Sequence, residues 1–340
     1  MPRSERRTVG IRPLSRIVLL LLALAALAVG AAGCGREDGD ADAAQAPETT
    51  GNTTAADEQL SGDVLIDGSS TVGPLTTAAA ASYREEQPDV NIEVGTSGTG
   101  GGFERFCAGE TDISNASRPI DEEEEVPLCA DAGVEYTEFQ VGVDALTVVV
   151  NAQNDWVDCL TVEQLTTIWE PAAEGEVTNW NQVDPSFPDQ ALALAGPGTD
   201  SGTFDYFTDE VNGEEGASRS DYTASEDDNI IVQAVAGDPG GLGYFGFTYY
   251  EQNQDTLKAL EIDGGEGCVA PSVEAARDGS YAPLSRPLFI YVKNESLGKP
   301  QVEGFVRYFL ENSIQLAEDA LYIPVPEEQV AENLALLERR

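Results

Sequence analysis

The 340 residues contain no His, a single Met at position 1, and 18 Lys and Arg against 61 Asp and Glu, a formal net charge of −43. Without His there is no Ser-His-Asp triad, no Cys-His dyad and no His-ligated zinc or haem. A surface this acidic repels nucleic acid and anionic lipid at long range, which excludes nucleic acid as a partner.

Five of the basic residues (Arg3, Arg6, Arg7, Arg12, Arg16) and one acid (Glu5) precede residue 34, so the rest of the chain has 13 basic and 60 acidic residues, a net of −47. Residues 17–30 are almost wholly Leu, Ala and Val. That run is too short to span a bilayer comfortably and matches the apolar core of a secretory signal. It ends in Ala31-Ala32-Gly33-Cys34, which resembles the bacterial lipoprotein cleavage box, with Ala31 where the usual Leu stands. Residues 1–33 are therefore expected to be a lipoprotein signal and Cys34 the lipid-bearing N-terminus, anchoring the protein to the outside of the cell membrane. Residues 35–59 carry no aromatic or large aliphatic side chain. Such a stretch cannot bury enough apolar surface to offset chain entropy, so a disordered tether is expected over 34–60, with a reach of about 25–30 Å.

Beyond it, residues 63–67 read as a buried strand, and a helix is expected to start at Pro74 and run to Tyr83. Residues 90–94 alternate like a strand, a helix follows to Cys107, and 112–115 is another strand. This rhythm predicts a largely parallel sheet with helices on both faces. Residues 145–151 form a continuous apolar strand. Thr161-Val162-Glu163-Gln164 is a capping-box start to a helix through Trp169. A strand at 194–197, an aromatic helix at 204–207, a helix at 226–236 stopped by Gly237, and strands at 241–246 and 287–293 follow. Two helices, 301–312 and 326–337, close the chain. About 280 residues follow the tether, more than one core usually supports, so two lobes are expected.

Four Cys remain, Cys107, Cys129, Cys159 and Cys268. An even number in an exported chain favours two disulfides, with three possible pairings. Proximity in sequence pairs Cys107 with Cys129 and leaves Cys159 with Cys268. They show no CxxC spacing, and no metal is expected.

Three strand-to-helix turns share one chemistry: Gly68-Ser69-Ser70-Thr71-Val72-Gly73-Pro74, Gly98-Thr99-Gly100-Gly101-Gly102 and Asp200-Ser201-Gly202-Thr203. Each puts hydroxyls and unhindered N–H groups at a helix start, where four donors lack partners and the dipole is positive. Together they point to one converged oxyanion site. None is a P-loop, because the Lys of GxxxxGK[ST] is absent, and none is followed by the acidic partner of a dinucleotide fingerprint. Arg118, in Asn115-Ala116-Ser117-Arg118-Pro119, is the lone cation beside such a loop, directly after a strand end where open α/β sheets place their ligands.

These motifs resemble those of the phosphate-binding proteins of phosphate ABC importers. The stretches that carry the likeness are Gly68-Ser69-Ser70-Thr71, residues 98–103, 112–119 and 198–204. It continues through 144–151, 160–165, Asn179-Trp180, 241–245 and Ser285-Arg286-Pro287-Leu288-Phe289, and so covers 61–325 in order. The resemblance implies an α/β fold of the two-lobe type II periplasmic-binding-protein kind, with the ligand cleft between lobes. It also implies capture of inorganic phosphate outside the membrane and its delivery to an ABC permease and its ATPase subunits, with no catalysis and no cofactor. Carried over by position, Ser70, Thr71, Val72, Thr99, Gly100, Ser201, Gly202 and Thr203 are the binding residues, joined by Ser117 and Arg118. The best-known branch has an aspartate where Ser117 stands here, and that aspartate accepts the phosphate's proton. The acceptor must then come from elsewhere: Asp144 first, Asp200 second and Asp67 third.

Lobe 1 is expected to comprise 61–143 with 288–340, and lobe 2 144–287, with 145–151 and 287–293 as the crossing strands. The same architecture tuned to sulfate or molybdate, or a lipoprotein that senses phosphate, are the alternatives. An exported phosphatase would need the His, GxSxG elbow or metal-ligand cluster that the chain lacks. Mutual repulsion of the acids opposes compaction unless salt screens it, so a saline exterior is the expected setting. The melting temperature should rise between about 0.05 and 2 M salt; a flat or falling curve in thermal unfolding would reject this.

Overall fold

The computed structural model describes residues 59–340. The signal segment, Cys34 and nearly all of the expected tether lie outside the described residues. The chain opens with β1 (Gly62–Gly68), α1 (Gly73–Glu86), β2 (Val90–Val94), α2 (Gly98–Cys107) and β3 (Ile113–Ala116). A short acidic helix, α3 (Glu125–Asp131), leads into the 16-residue strand β4 (Tyr136–Asn151). The next stretch holds β5 (Cys159–Thr161), α4 (Val162–Trp169), α5 (Trp180–Val183), β6 (Ala193–Gly196), α6 (Gly202–Asn212), β7 (Thr223–Ala224) and α7 (Asp228–Gly237). It continues with β8 (Gly241–Gly246), α8 (Phe247–Gln252), β9 (Leu257–Ala259), β10 (Glu261–Asp263), β11 (Cys268–Val269) and α9 (Val273–Asp278). β12 (Ser285–Lys293), α10 (Pro300–Asp319) and α11 (Glu327–Glu338) complete the chain.

Local sequence signals explain many of these starts and stops. At α4 the Thr161 side chain accepts from the Gln164 N–H at 3.1 Å while the Gln164 side chain accepts from the Thr161 N–H at 3.0 Å, so both halves of the capping box are made. Pro74 sits in the first turn of α1, where its missing N–H removes nothing. Gly213 and Gly279 terminate α6 and α9 in the left-handed region.

The nine-stranded sheet runs β2-β1-β3-β12-β4-β8-β6-β7, with β9 also on β4, and a three-stranded sheet runs β11-β10-β5. The expectation of a largely parallel sheet holds only at the flanks. β1 is parallel to β2 and β3, and β6 to β7 and β8. β12 is antiparallel to β3 and β4, and β4 to β8 and β9. Crossover helices keep strands parallel only where they return the chain to the same end; β12 re-enters from the opposite end.

β4 serves two cores. Its Phe139 and Val141 pack with Val64, Leu75, Ile290, Phe305 and Phe309, whereas its Leu146, Val148 and Val150 pack with Leu165, Trp169, Phe207 and Tyr244. β12 does the same at its head, with Leu284 just before it in the second core and Leu288 in the first. The crossing therefore falls at about 143–146 and 284–288, not along the full strands 145–151 and 287–293. Pro287 fits here because β3 pairs with β12 only from Phe289 onward, leaving no ladder partner on that side to require its N–H. The first four residues of β12 thus project past β3 as a ledge between the cores.

Two disulfides are present. Cys107–Cys129 joins the end of α2 to α3 across a sequence separation of 22, and Cys159–Cys268 ties β5 to β11 across 109. The longer loop should contribute about 4–5 kcal/mol under the chain-entropy model. Peptide mapping without reductant should recover these two pairs, and reduction should lower the melting temperature measurably.

Candidate ligand cleft

The cleft is built where the ends of β1, β3 and α2 are pressed together. Gly68 has φ +136°, and a Cβ there would sit 2.1 Å from the Asn115 carbonyl oxygen, so only glycine fits. The Ser69 N–H donates to that same oxygen at 2.9 Å. A Cβ on Gly102 would lie 2.4 Å from the Gly68 Cα; the glycine run of α2 brings its helix end against the first loop. Asp67, buried beneath, accepts from the N–H groups of Gly68 (2.8 Å) and Ser97 (2.9 Å) and from the Arg105 guanidinium. Burial works against its charge, yet these donors hold its carboxyl below the usual range. Asp67 therefore fastens the first two loops together from outside the cleft lining.

Ser69, Ser70, Thr71, Ser97, Gly98, Thr99, Gly100, Ser117 and Arg118 line one side of a cleft of about 840 Å³. Neither α1 nor α2 has a side-chain N-cap bond, but at α1 the Gly73 N–H already donates to the Ser69 carbonyl at 3.0 Å and Pro74 has no N–H. It is the first turn of α2, Gly98-Thr99-Gly100, that keeps its N–H groups available as anion donors. The Thr99 hydroxyl oxygen accepts the Ser117 N–H at 3.2 Å and lies 3.1 Å from the Ser117 hydroxyl. Gly202 at the start of α6, with Asp205, Tyr206, Asp209, Glu210 and nearby Glu215, forms the other side. A Cβ on Gly202 would be 3.8 Å from the Thr71 hydroxyl oxygen, so the first and third loops nearly touch.

The ledge of β12 supplies the charge. Arg286 lies in register with Asp144 across the β12–β4 ladder. Its Nε and Nη2 each stand 3.2 Å from Asp144 Oδ2, and Nη2 donates to the Thr71 hydroxyl at 2.7 Å. Nη1 reaches the Ser117 hydroxyl at 3.5 Å, and the guanidinium lies 3.6 Å over the Tyr206 ring, a cation–π contact that fixes its plane. Because Thr71 accepts from Arg286, its own hydroxyl proton is left to donate into the cleft.

These contacts revise several sequence expectations. Arg118 is not the lone cation: it forks onto Glu125 with two 2.8 Å bonds and sits half-exposed at the rim. Asp144 is buried, pairs with Arg286 and stands behind it, outside the cleft lining. Burial pushes its carboxyl up, opposed by the neighbouring guanidinium. Asp200 is exposed and off the lining. Val72 is fully buried under the first loop, and the Ser201 hydroxyl caps α6 by accepting the Thr203 N–H at 3.2 Å; neither these residues nor Thr203 line the cleft. Arg286 and Asp205 line the cleft without belonging to any of the three loops or the Ser117-Arg118 pair that the sequence points to. The only sequence sign of Arg286 is a rare cation at the head of an apolar strand. Asp205 is pushed up by burial and by Glu215, against the pull of Arg286.

Among the described residues, the one group with metal-ligand proximity is Cys159, Glu261 and Cys268, and its two sulfurs are already a disulfide. None of the described helices is long and apolar enough to cross a membrane.

Residues 49–313 match the PBP superfamily domain. The chain is 50% identical over 279 residues to Protein SphX of a Synechocystis strain, covering 82% of this chain and 83% of that protein. It is 40% identical over 279 residues to the phosphate-binding protein PstS of Staphylococcus saprophyticus, covering 82% and 85%. A crystal structure described as a possible phosphate binding protein from Planctomyces limnophilus is 43% identical, with a TM-score of 0.78 over 82% of this chain and 99% of that one.

Arg286→Ala should strand the buried Asp144 carboxylate and cost about 3–5 kcal/mol, partly restored by adding Asp144→Asn. With its folded pKa raised above the unfolded value, Asp144 favours the native state below the unfolded pKa and loses that benefit as pH rises through the folded one. Chemical denaturation of Arg286→Ala from pH 8 down to 5 should show its deficit shrinking as pH falls.

Proposed function

This chain belongs to the PBP superfamily, among its phosphate-binding proteins, and on that premise we propose that it captures inorganic phosphate outside the membrane and hands it to an ABC permease driven by an ATPase. The observation that carries the reading is the Arg286 guanidinium, held at once by Asp144, Thr71, Ser117 and Tyr206. It sets one fixed positive charge on the cleft floor amid hydroxyls and uncapped helix starts. A tetrahedral dianion placed there meets Arg286, the Thr71, Ser70 and Thr99 hydroxyls, and the N–H groups at the start of α2. Arg286, Thr71 and Thr99 are already held by their neighbours, so little ordering of these donors remains to oppose binding.

The lobes in this reading are 61–143 with 288–340, and 144–287, closing over the ligand from the two sides just described. Cys34 would carry the lipid that keeps the domain at the membrane, within reach of the permease.

Selectivity follows from the far side. At neutral pH phosphate keeps a proton and sulfate has none. Donors alone would hold both ions comparably. In the closed cleft a carboxylate accepts from phosphate's O–H but meets only lone pairs on sulfate, a mismatch worth several kcal/mol. Asp144 cannot fill that position from behind Arg286. Asp205 can: it lines the cleft three residues after Gly202, on the same helix face, and sits beside the Tyr206 that underlies Arg286.

Titration calorimetry tests both parts. The wild type should bind phosphate tightly and sulfate at least about 10³-fold more weakly. Asp205→Asn should lose most of that ratio, whereas Asp144→Asn should weaken both anions through a loosened Arg286. Equal binding of sulfate and phosphate by the wild type would overturn the reading.

A further inference from the structure

Behind the cleft, the link between α10 and α11 lies across β4 where that strand passes from one core to the other. Ile323 and Val143 exchange both backbone bonds at 2.9 Å. Ile323 also packs with Val143, Ala145, Phe247 and Ala276, a small apolar cluster that belongs to neither main core. Residues of the second half hold the link from one side. The Thr248 hydroxyl of α8 donates to the Leu321 carbonyl at 2.8 Å, and Arg277 of α9 donates from Nε and Nη2 to the Pro324 carbonyl at 3.1 and 2.5 Å. On the other side the Tyr322 hydroxyl donates to the Thr71 carbonyl at 3.0 Å.

The backbone is under strain at the point where these ties meet. α10 ends in a Schellman motif, with the Tyr322 N–H on Ala317 O at 2.8 Å and the Leu321 N–H on Glu318 O at 3.0 Å. The left-handed position of that motif, normally glycine, is Leu321 at φ 61°. A branched side chain persists there only where its surroundings impose the conformation. The Thr248 bond to the same residue and the bonded Tyr322 beside it are such surroundings.

We infer that residues 320–325 form a third connection between the two cores, through which Tyr322 acts as a positioning residue for the first oxyanion loop. In a trans peptide the C=O and N–H point opposite ways. Holding the Thr71 carbonyl on Tyr322 therefore fixes the peptide plane between Thr71, which lines the cleft, and Val72, whose N–H points the opposite way and has no acceptor among the described residues. Any rotation of α8 and α9 relative to α1 must pass through the link, so the orientation of this donor is tied to the angle between the cores. The inference rests on the phosphate reading above.

The experiment is phosphate titration calorimetry on the full chain, with melting temperatures alongside. Tyr322→Phe removes one hydroxyl and should weaken phosphate about fivefold, with little change in melting temperature. Thr248→Val and Arg277→Ala touch no residue of the cleft. Together they should weaken phosphate in the same direction, and their effect should vanish in a Tyr322→Phe background, as expected of groups acting through one another. Wild-type affinity in Tyr322→Phe, or additive losses in the combined variant, would overturn the inference. Should Tyr322→Phe fail to fold, Thr248→Val alone decides: unchanged affinity rejects the coupling. A wild type that does not bind phosphate at all would instead reject the underlying reading.

Discussion

The Asp144–Arg286 pair is the interaction around which the molecule is arranged. Its members face each other on β4 and β12, the two strands that pass between the cores, so it stands where the halves of the fold meet. Taking both charges out of water is costly, and a buried ion pair is weak evidence for stability. Its value here is geometric. With one edge of the guanidinium occupied by a buried carboxylate and one face on Tyr206, the remaining N–H groups can only point at Thr71, Ser117 and the cleft. Most other cations that the structure pairs sit on carboxylates at or near the surface, such as Arg118 with Glu125, Lys258 with Asp158 and Arg307 with Glu303. Arg286 alone among these pairs faces the centre of the cleft from its floor.

The first two loops show a second constraint, of volume. Their glycines suggest an anion cradle, but Gly68 and Gly102 are required because backbone approaches backbone to within what a Cβ would occupy. Once β1, β3 and α2 are drawn that close, the loop ahead of α1 and the uncapped start of α2 come to open on one cleft. Asp67 and Arg105 then fasten the arrangement from beneath. Anion geometry is thus a consequence of close packing plus missing caps, and the hydroxyls of Thr71 and Thr99 add donors to an already oriented frame.

What could be read from the chain divides along the same line. The capping box at Thr161, the strands at 90–94 and 241–246, the glycine-led loops and the disulfide partners rest on neighbours in sequence or on elementary counting, and the structure contains them. The first nine residues of β4 fall outside the expected strand because Thr137, Glu138 and Gln140 interrupt its apolar pattern; Glu138 is exposed and Gln140 half-buried, so that face of the strand carries no apolar signal. α3 carries no readable periodicity because acids and Pro127 interrupt a helix of only about two turns. Arg286 is separated from Asp144 by 142 positions. Its role depends on the register of two antiparallel strands, which no local signal encodes. Asp144 is the first candidate for the proton acceptor on sequence grounds, yet its partner Arg286, and hence its task, lies beyond local signals.

The charge balance sets the last condition. A chain of net charge −43 that binds an anion must do so where local terms exceed the summed repulsion of distant carboxylates. Those distant charges act through water and salt and fade beyond a Debye length of about 10 Å at 0.1 M. Donors within hydrogen-bond distance in a closing cleft are hardly screened at all. The acids of α6 are the exception, since Asp205, Asp209 and Glu210 stand at the cleft itself. With the cleft open they confront the anion across water. In the closed state proposed above, Asp205 would stand beside Arg286 and the ligand, where its charge would be tolerated only if the ligand brought a proton to share. The same carboxylates that hinder anions in general thereby turn closure into a test for a protonated one.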